Sequence, residues 1–249
     1  MYQLPKLIKN LPHAFSEKTE GNMSFKWGGD RDEVLRSRQN FLKKLNLSLE
    51  DCVTMWPTDK LEILTVGARD KGLGMTGEDV PEADALFTAD RGVFLFLLFG
   101  DCLPVIFYDP VKHVVALAHL GWKSTENKLA EKVLSELGKK YGSQPSDLTV
   151  ALGPGIHKDS YLKKTDEWLA RDHNDLEGWK NFSEKLQDGR VAIDIVSYNL
   201  KQLVEAGVPA ENIEVSEMDT AASDRFFSHY RSKKTGEKEG RSAAVVGII

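Results

Sequence analysis

Apolar residues recur along this chain with two different periods, and each period predicts a different kind of element. Behind Asp30, the residues Val34, Leu35, Arg38, Phe41, Leu42 and Leu45 fall on one helical face, with Glu33 placed as the partner of a capping box. Arg38 is the polar exception on that face. A second helical pattern carries Leu129, Ala130, Val133, Leu134 and Leu137, starts after Ser124 and Thr125, and stops near Gly138 and Gly142. A third follows Asp194 with Ile195, Tyr198, Leu203 and Val204, and ends at Gly207. Between these lie β-type runs at 61–66, 93–99, 105–108, 114–118, 148–152, 190–193 and 243–249. Several are uninterrupted apolar stretches, the pattern of a strand covered on both faces. Asp109-Pro110-Val111-Lys112 predicts a tight turn, and therefore antiparallel pairing of the strands that flank it. Strands crowded into the middle of the chain, with helices inserted irregularly, predict an α+β fold of layered mixed or antiparallel sheets flanked by helices. No repeat, low-complexity tract or linker-like stretch divides the chain, so one domain over residues 1–249 is expected.

The composition narrows the class. A chain of 249 residues that is 41% hydrophobic and 29% charged buries a core, which excludes disordered and fibrous classes. The longest apolar run, 93–99, is too short to cross a bilayer, and no signal-peptide pattern precedes Leu11, so a cytoplasmic location is expected. The net charge of -5 arises from 33 basic and 38 acidic residues spread along the chain, without the footprint of a nucleic-acid or membrane binder. A small uncharged or anionic substrate is compatible with it. Two cysteines, Cys52 and Cys102, without C-x-x-C spacing, exclude a disulfide framework and a zinc finger. Gly72-Leu-Gly74-Met-Thr-Gly77 has dinucleotide-fingerprint spacing, but Glu78, Asp79 and Pro81 follow where the phosphate-facing helix would begin. It reads as a glycine loop near the mouth of a site. The mixed-charge run 233–241 reads as a solvated hairpin tip.

Cys102 and His119 form the candidate reactive pair. Cys102 stands at a strand junction in Phe99-Gly-Asp-Cys-Leu-Pro104, and His119 closes the following strand before Gly121-Trp122-Lys123. With a turn at Asp109-Pro110, the hairpin returns His119 toward Cys102. An imidazole beside a thiol either lowers the thiol pKa for nucleophilic attack or joins it in binding a soft metal such as zinc or copper. The bland alternative is a small buried hydrophobe next to a hydrogen-bonded strand end. His13, His113, His157, His173 and His229 lie beside turns, at a strand start or in charged loops, where solvation is the expected state.

Phe99-Gly-Asp-Cys-Leu-Pro, Ala118-His-Leu-Gly-Trp-Lys, Gly153-Pro-Gly-Ile, Phe226-Phe-Ser-His-Tyr-Arg231 and Gly240-Arg241, in this order, resemble the bacterial laccase-domain proteins. That family is also known as multicopper polyphenol oxidases, adenosine-processing purine nucleoside phosphorylases, or peptidoglycan editing factors. The resemblance runs from about Phe15 to the last strand. It implies an α+β domain with zinc, or sometimes copper, held by one cysteine and two histidines, and phosphorolysis or deamination of purine nucleosides. Carried over, Cys102 and His119 are the metal and reactive residues, Asp101 orients them or exchanges protons, and Lys123 and Arg231 steady phosphate or ribose oxygens. The implied partners are a purine nucleoside and phosphate. The family's first histidine falls at Pro57 in Met55-Trp-Pro-Thr-Asp-Lys60, Lys123 stands in place of an arginine, and Asp219 in place of a cysteine. Asp59, Asp101, His13 and His157 are the alternative donors. A metal-free Cys102–His119 hydrolase or deamidase, and a non-catalytic nucleoside- or protein-binding member, are the rival expectations.

Overall fold

A computed structural model describes residues 1–249 except Pro5, Leu7 and Lys9. Its strands are β1 (His13–Phe15), β2 (Cys52–Thr54), β3 (Ile63–Thr65), β4 (Ala85–Thr88), β5 (Phe94–Phe99), β6 (Leu103–Asp109), β7 (Val114–Leu120), β8 (Thr149–Leu152), β9 (Leu162–Lys164), β10 (Ser183–Lys185), β11 (Arg190–Ile193), β12 (Ile213–Val215) and β13 (Ser242–Gly247). The helices are α1 (Arg31–Lys43), α2 (Trp122–Glu126), α3 (Leu129–Tyr141), α4 (Thr165–Leu169), α5 (Leu176–Lys180), α6 (Ile195–Glu205) and α7 (His229–Thr235). They build a four-stranded sheet in the order β1-β13-β5-β2, a six-stranded sheet in the order β12-β8-β6-β7-β4-β3, and a small sheet β10-β11-β9.

Side-chain alternation along the central strands defines the layers. Leu95, Leu97 and Phe99 of β5 meet Ile106 of β6 and Val115 and Leu117 of β7 in one core between the two large sheets. The opposite face of β5, with Phe94 and Phe96, packs with Ala243 and Val245 against Phe41 and Leu42 of α1. The opposite faces of β6 and β7, with Val105, Phe107, Ala116 and Ala118, pack against Leu129, Val133 and Leu137 of α3 and Leu203 of α6. The order of layers is helix, sheet, sheet, helix. Central strands are therefore apolar on both faces, which is why they read as continuous hydrophobic runs. The turn at Asp109 forms as expected: its carboxylate accepts from the backbone N–H groups of Val111 and Lys112, and β6 and β7 pair antiparallel. The sheets are mixed, because β2 on β5, β3 on β4 and β12 on β8 pair in parallel.

Local chemistry sets the helix ends. Asp30 caps α1 by accepting from the N–H groups of Asp32 and Glu33, rather than through the reciprocal bond of a capping box, and Leu45 lies beyond the helix end. Arg38 is buried because its guanidinium donates to the carbonyls of Met23 and Met75 at 2.9 Å and lies over the Phe25 ring. The second helical pattern lies wholly in α3, which starts at Leu129 and not directly after Thr125: Lys128 adopts φ 60° between α2 and α3, and the left-handed Gly142 closes α3. The 233–241 run is not a hairpin tip but the end of α7, closed by Gly236, with a return into β13. The 72–77 glycines lie in turns that open no helix, and Gly77 packs on the Phe25 ring.

Candidate active site

The β6–β7 hairpin brings the predicted pair together. Leu103 pairs with Leu120 and Pro104 with His119, so the next rung outward sets Cys102 opposite Gly121. By alternation Cys102 and His119 share one face at the end of the hairpin. Space confirms it: a Cβ placed on Gly121 would lie 3.1 Å from the Cys102 Sγ and 3.7 Å from the His119 Cε1. Both side chains open into a cavity of about 340 Å³ that is also lined by Trp122, Tyr161, Lys163, Arg171, His229, Tyr230 and Arg241. A smaller cavity of about 170 Å³ adjoins at His119, Leu98 and Arg241 and is walled by Trp27, Trp56 and Pro57.

Asp101 holds this corner. It adopts φ 101° where β5 turns into β6. Its Oδ1 accepts from the Thr220 hydroxyl at 2.7 Å, its Oδ2 from the Tyr230 N–H at 2.6 Å, and its carbonyl from the Ile156 N–H at 2.8 Å. The carboxylate ties two distant segments, and the carbonyl a third, to the residue preceding Cys102, which makes Asp101 a positioning group.

Burial governs the charge of the pair. It pushes the Cys102 thiol up to about 12, with Asp101 and Asp59 adding to the effect. It pulls His119 down to about 4, which the nearby Asp84 opposes and Arg241 reinforces. Thiol and imidazole are therefore both neutral near pH 7. The His119 Nδ1 is buried without a hydrogen-bond partner among the described residues, so part of the ring's bonding capacity is unused there. Cys52, fully buried, is pushed up further still by burial and is the structural thiol of the two.

The proposed phosphate residues are placed differently from expectation. Lys123 is exposed over the Trp122 ring and does not line the cavity. Arg231 is corrected outright. Its Nε donates to Glu237, its Nη1 to the carbonyls of Thr220 and Ser223, and its Nη2 to that of Phe226, so it knots the 220–226 loop instead of facing the cavity. Each residue of a helix turns about 100° from the last, so on α7 the neighbours His229 and Tyr230 reach the cavity instead. Two histidines expected at the surface are buried. His13 accepts from the Leu4 N–H and bonds the Leu11 carbonyl. His173 bonds Glu126 at 3.0 Å and the Trp168 carbonyl at 2.8 Å, with its ring against those of Trp168 and Trp122. Sequence reasoning missed Tyr161, Lys163 and Arg171, which carry no motif. It passed over His229, Tyr230 and Arg241, although each stood in a quoted motif.

The fold and this cysteine–histidine corner define a laccase-domain protein. A family described as multi-copper polyphenol oxidoreductase laccase matches residues 13–249, and the chain belongs to it. A purine nucleoside phosphorylase, YlmD, of Geobacillus stearothermophilus is 33% identical over 235 residues, covering 91% of this chain and 82% of its own. An adenosine deaminase, RL5, of an unknown prokaryotic organism is 27% identical over 225 residues, covering 86% and 82%. The crystal structure of a Bacillus licheniformis hypothetical protein, YfiH, superposes with a TM-score of 0.86 at 27% identity, covering 97% of this chain and 94% of that one.

The family description associates its members with copper, and the donor set tests whether a metal fits this chain. Cys102 and His119 supply two donors, whereas catalytic zinc takes three protein ligands. Pro57, beside His119 in the smaller cavity, offers none. Among the described residues no group of three or more His, Cys, Asp or Glu side chains is arranged to hold a metal ion. The donor set does not fit a resident metal.

Proposed function

We propose that this chain cleaves purine nucleosides by phosphorolysis at the Cys102–His119 corner, as a cytoplasmic enzyme. The observation that carries the reading is a single cavity in which two neutral, weakly polar groups face flat aromatic walls and several cations. The named relative's activity agrees with it. A phosphate oxygen attacks C1′ of the ribose, the C1′–N9 bond breaks, and its electron pair leaves with the purine, which takes up a proton from solvent at the cavity mouth. The products are the free base and ribose 1-phosphate. The transition state carries positive charge on the sugar and negative charge on the departing base, so the protein's task is positioning and electrostatic stabilisation. Trp122, Tyr161 and Tyr230 supply stacking surfaces for the base, and the Cys102 S–H and neutral His119 supply hydrogen bonds to it. Deamination, the named activity of RL5, requires a water activated for attack, commonly by a bound metal, and two donors serve that poorly. A Cys102 thiolate hydrolase is disfavoured because burial keeps the proton on sulfur.

Purified protein incubated with adenosine or inosine and phosphate should release adenine or hypoxanthine together with ribose 1-phosphate. Release that requires phosphate and is lost in Cys102→Ala supports the reading. Turnover no greater than that of Cys102→Ala rejects it, and ammonia release without phosphate dependence replaces it with deamination.

A further inference from the structure

Among the described residues, two cations in the cavity have no ion-pair partner. Lys163 on β9 and Arg171 after α4 are half-buried and line the same cavity as Cys102 and His119. Among the described residues neither makes an ion pair or a side-chain hydrogen bond. The Lys163 ammonium lies 5.0 Å from the centre of the Tyr230 ring, and the Arg171 guanidinium lies 4.9 Å from that of Trp122 and 5.4 Å from that of Trp168. The other arginine of this cavity, Arg241, is paired with Glu239, which also bonds His229. The Tyr161 hydroxyl, on a ring 5.8 Å from the Lys163 ammonium in the same cavity, likewise makes no hydrogen bond among the described residues.

Like charges gathered in a half-buried place repel each other and lose hydration, at a cost that pairing with an anion would remove. Lys163 shows that cost. Burial, and then the charge of Arg171, lower its pKa against the opposing charges of Glu167 and Asp101. The chain has 38 acidic against 33 basic residues, yet among the described residues none pairs directly with either cation; Glu167 and Asp101 act on Lys163 only from a distance. A point-charge ammonium, a planar guanidinium fork and a phenolic donor together match the oxygens of a tetrahedral dianion.

We propose that Lys163 and Arg171, assisted by the Tyr161 hydroxyl, form the phosphate subsite of this cavity, in place of Lys123 and Arg231. This deepens the phosphorolysis reading and rests on it for the identity of the second substrate. The chemistry recognised is a phosphoryl group, which arrives either as inorganic phosphate or on a nucleoside monophosphate.

The test is calorimetric titration of inorganic phosphate, and separately of AMP and adenosine, at ionic strength held constant with chloride. The proteins are wild type, Lys163→Met, Arg171→Met, and the charge-keeping Lys163→Arg and Arg171→Lys. Wild type should bind phosphate, each methionine variant should weaken it at least tenfold, and the charge-keeping variants should retain most of the affinity. Arg171 also stacks on two indoles, so its variants are compared by thermal melting, while Lys163 provides an independent reading. AMP affinity that falls with these variants while adenosine affinity does not assigns the subsite to a nucleotide's phosphate. No phosphate or AMP binding by wild type, or unchanged binding in both methionine variants, overturns the proposal. Phosphate bound through these residues without any base released removes phosphorolysis and keeps the subsite. Phosphate-dependent release of base with KM for phosphate unchanged in both variants does the reverse.

Discussion

Replacing Asp101 probes the corner on which the site is hung. In Asp101→Ala the Thr220 hydroxyl and the Tyr230 N–H lose their acceptor, while the bond from Ile156 to the residue-101 carbonyl can persist. A hydrogen bond to a charged acceptor contributes about 1.5–3 kcal/mol, so the two together are worth roughly 3–6 kcal/mol. Backbone conformation adds a second effect of known sign. At φ 101° alanine is strained and glycine is not, so Asp101→Gly should be the more stable of the two by about 1 kcal/mol. This reverses the usual preference for alanine. For a chain of this size each kcal/mol moves the midpoint by about 2–4 °C, so Asp101→Ala should melt on the order of 10 °C below wild type. Thermal melts followed by circular dichroism, with tryptophan fluorescence as a second probe, measure both differences. An alanine variant within about 3 °C of wild type, or a glycine variant no more stable than the alanine one, would refute the assignment of Asp101 as the tie between these segments.

Three further outcomes follow from buried groups elsewhere. Glu126→Gln should destabilise the protein by about 3–5 kcal/mol, measured by urea unfolding, because Glu126 accepts from the Trp179 indole, the Asn174 N–H and His173 while fully enclosed; a change under about 1 kcal/mol sinks that account. Alkylation of Cys102 by iodoacetamide, followed by mass spectrometry, should be slow at pH 7 and keep rising through pH 10 without a plateau, since burial holds the thiol up to about 12; a plateau near pH 8 means an activated thiolate instead. For His119 the folded pKa, about 4, lies below the unfolded 6.5. The unfolded chain therefore binds the extra proton first, and stability present above pH 6.5 is lost as pH falls toward 4, by up to about 3 kcal/mol. Glu17, lowered to about 2 mainly by its hydrogen bond with Arg225, acts in the same direction at still lower pH. His119→Gln should flatten the slope of stability between pH 6.5 and 4, and an unchanged slope removes His119 as its source.

What could be read from the sequence, and what could not, divides along the range of the interactions. Asp30, Asp194 and Gly142 act on backbone groups within a few residues, and each ends its helix as expected. The apolar runs of β5, β6, β7 and β13 are continuous because two sheets and two helical layers enclose them, so burial wrote itself into composition. Short strands such as β2, β9 and β10 left no such trace, since three residues are too few to show a period. The site shows the same division. Cys102 and His119 meet through one tight hairpin, which local spacing foretells. Arg231 and Tyr230 are adjacent in a quoted motif, yet one knots a loop and the other walls the cavity. Their difference is a rotation about the axis of α7, invisible to any motif. Lys163, Arg171 and His173 depend on how the 160–180 segment folds back over β6 and β7, a long-range event without a local signature.

The electrostatics of the corner separate the uses to which it can be put. A thiolate–imidazolium dyad needs the sulfur to give up its proton at a pH where the ring accepts it, and here enclosure drives the two groups apart, to about 12 and about 4. Placing positive charge beside the sulfur would reverse that, but Arg241, the cation that faces both groups, already shares Glu239 with His229. Asp101 and Asp59 press the other way by disfavouring a second negative charge. A pocket arranged like this favours neutral, polarisable contacts at the Cys102–His119 corner and carries its unpaired positive charge on Lys163 and Arg171. That division suits a reaction that needs positive charge for an entering anion and hydrogen-bonding groups that stay neutral. It suits neither a nucleophilic thiol nor a two-donor metal site.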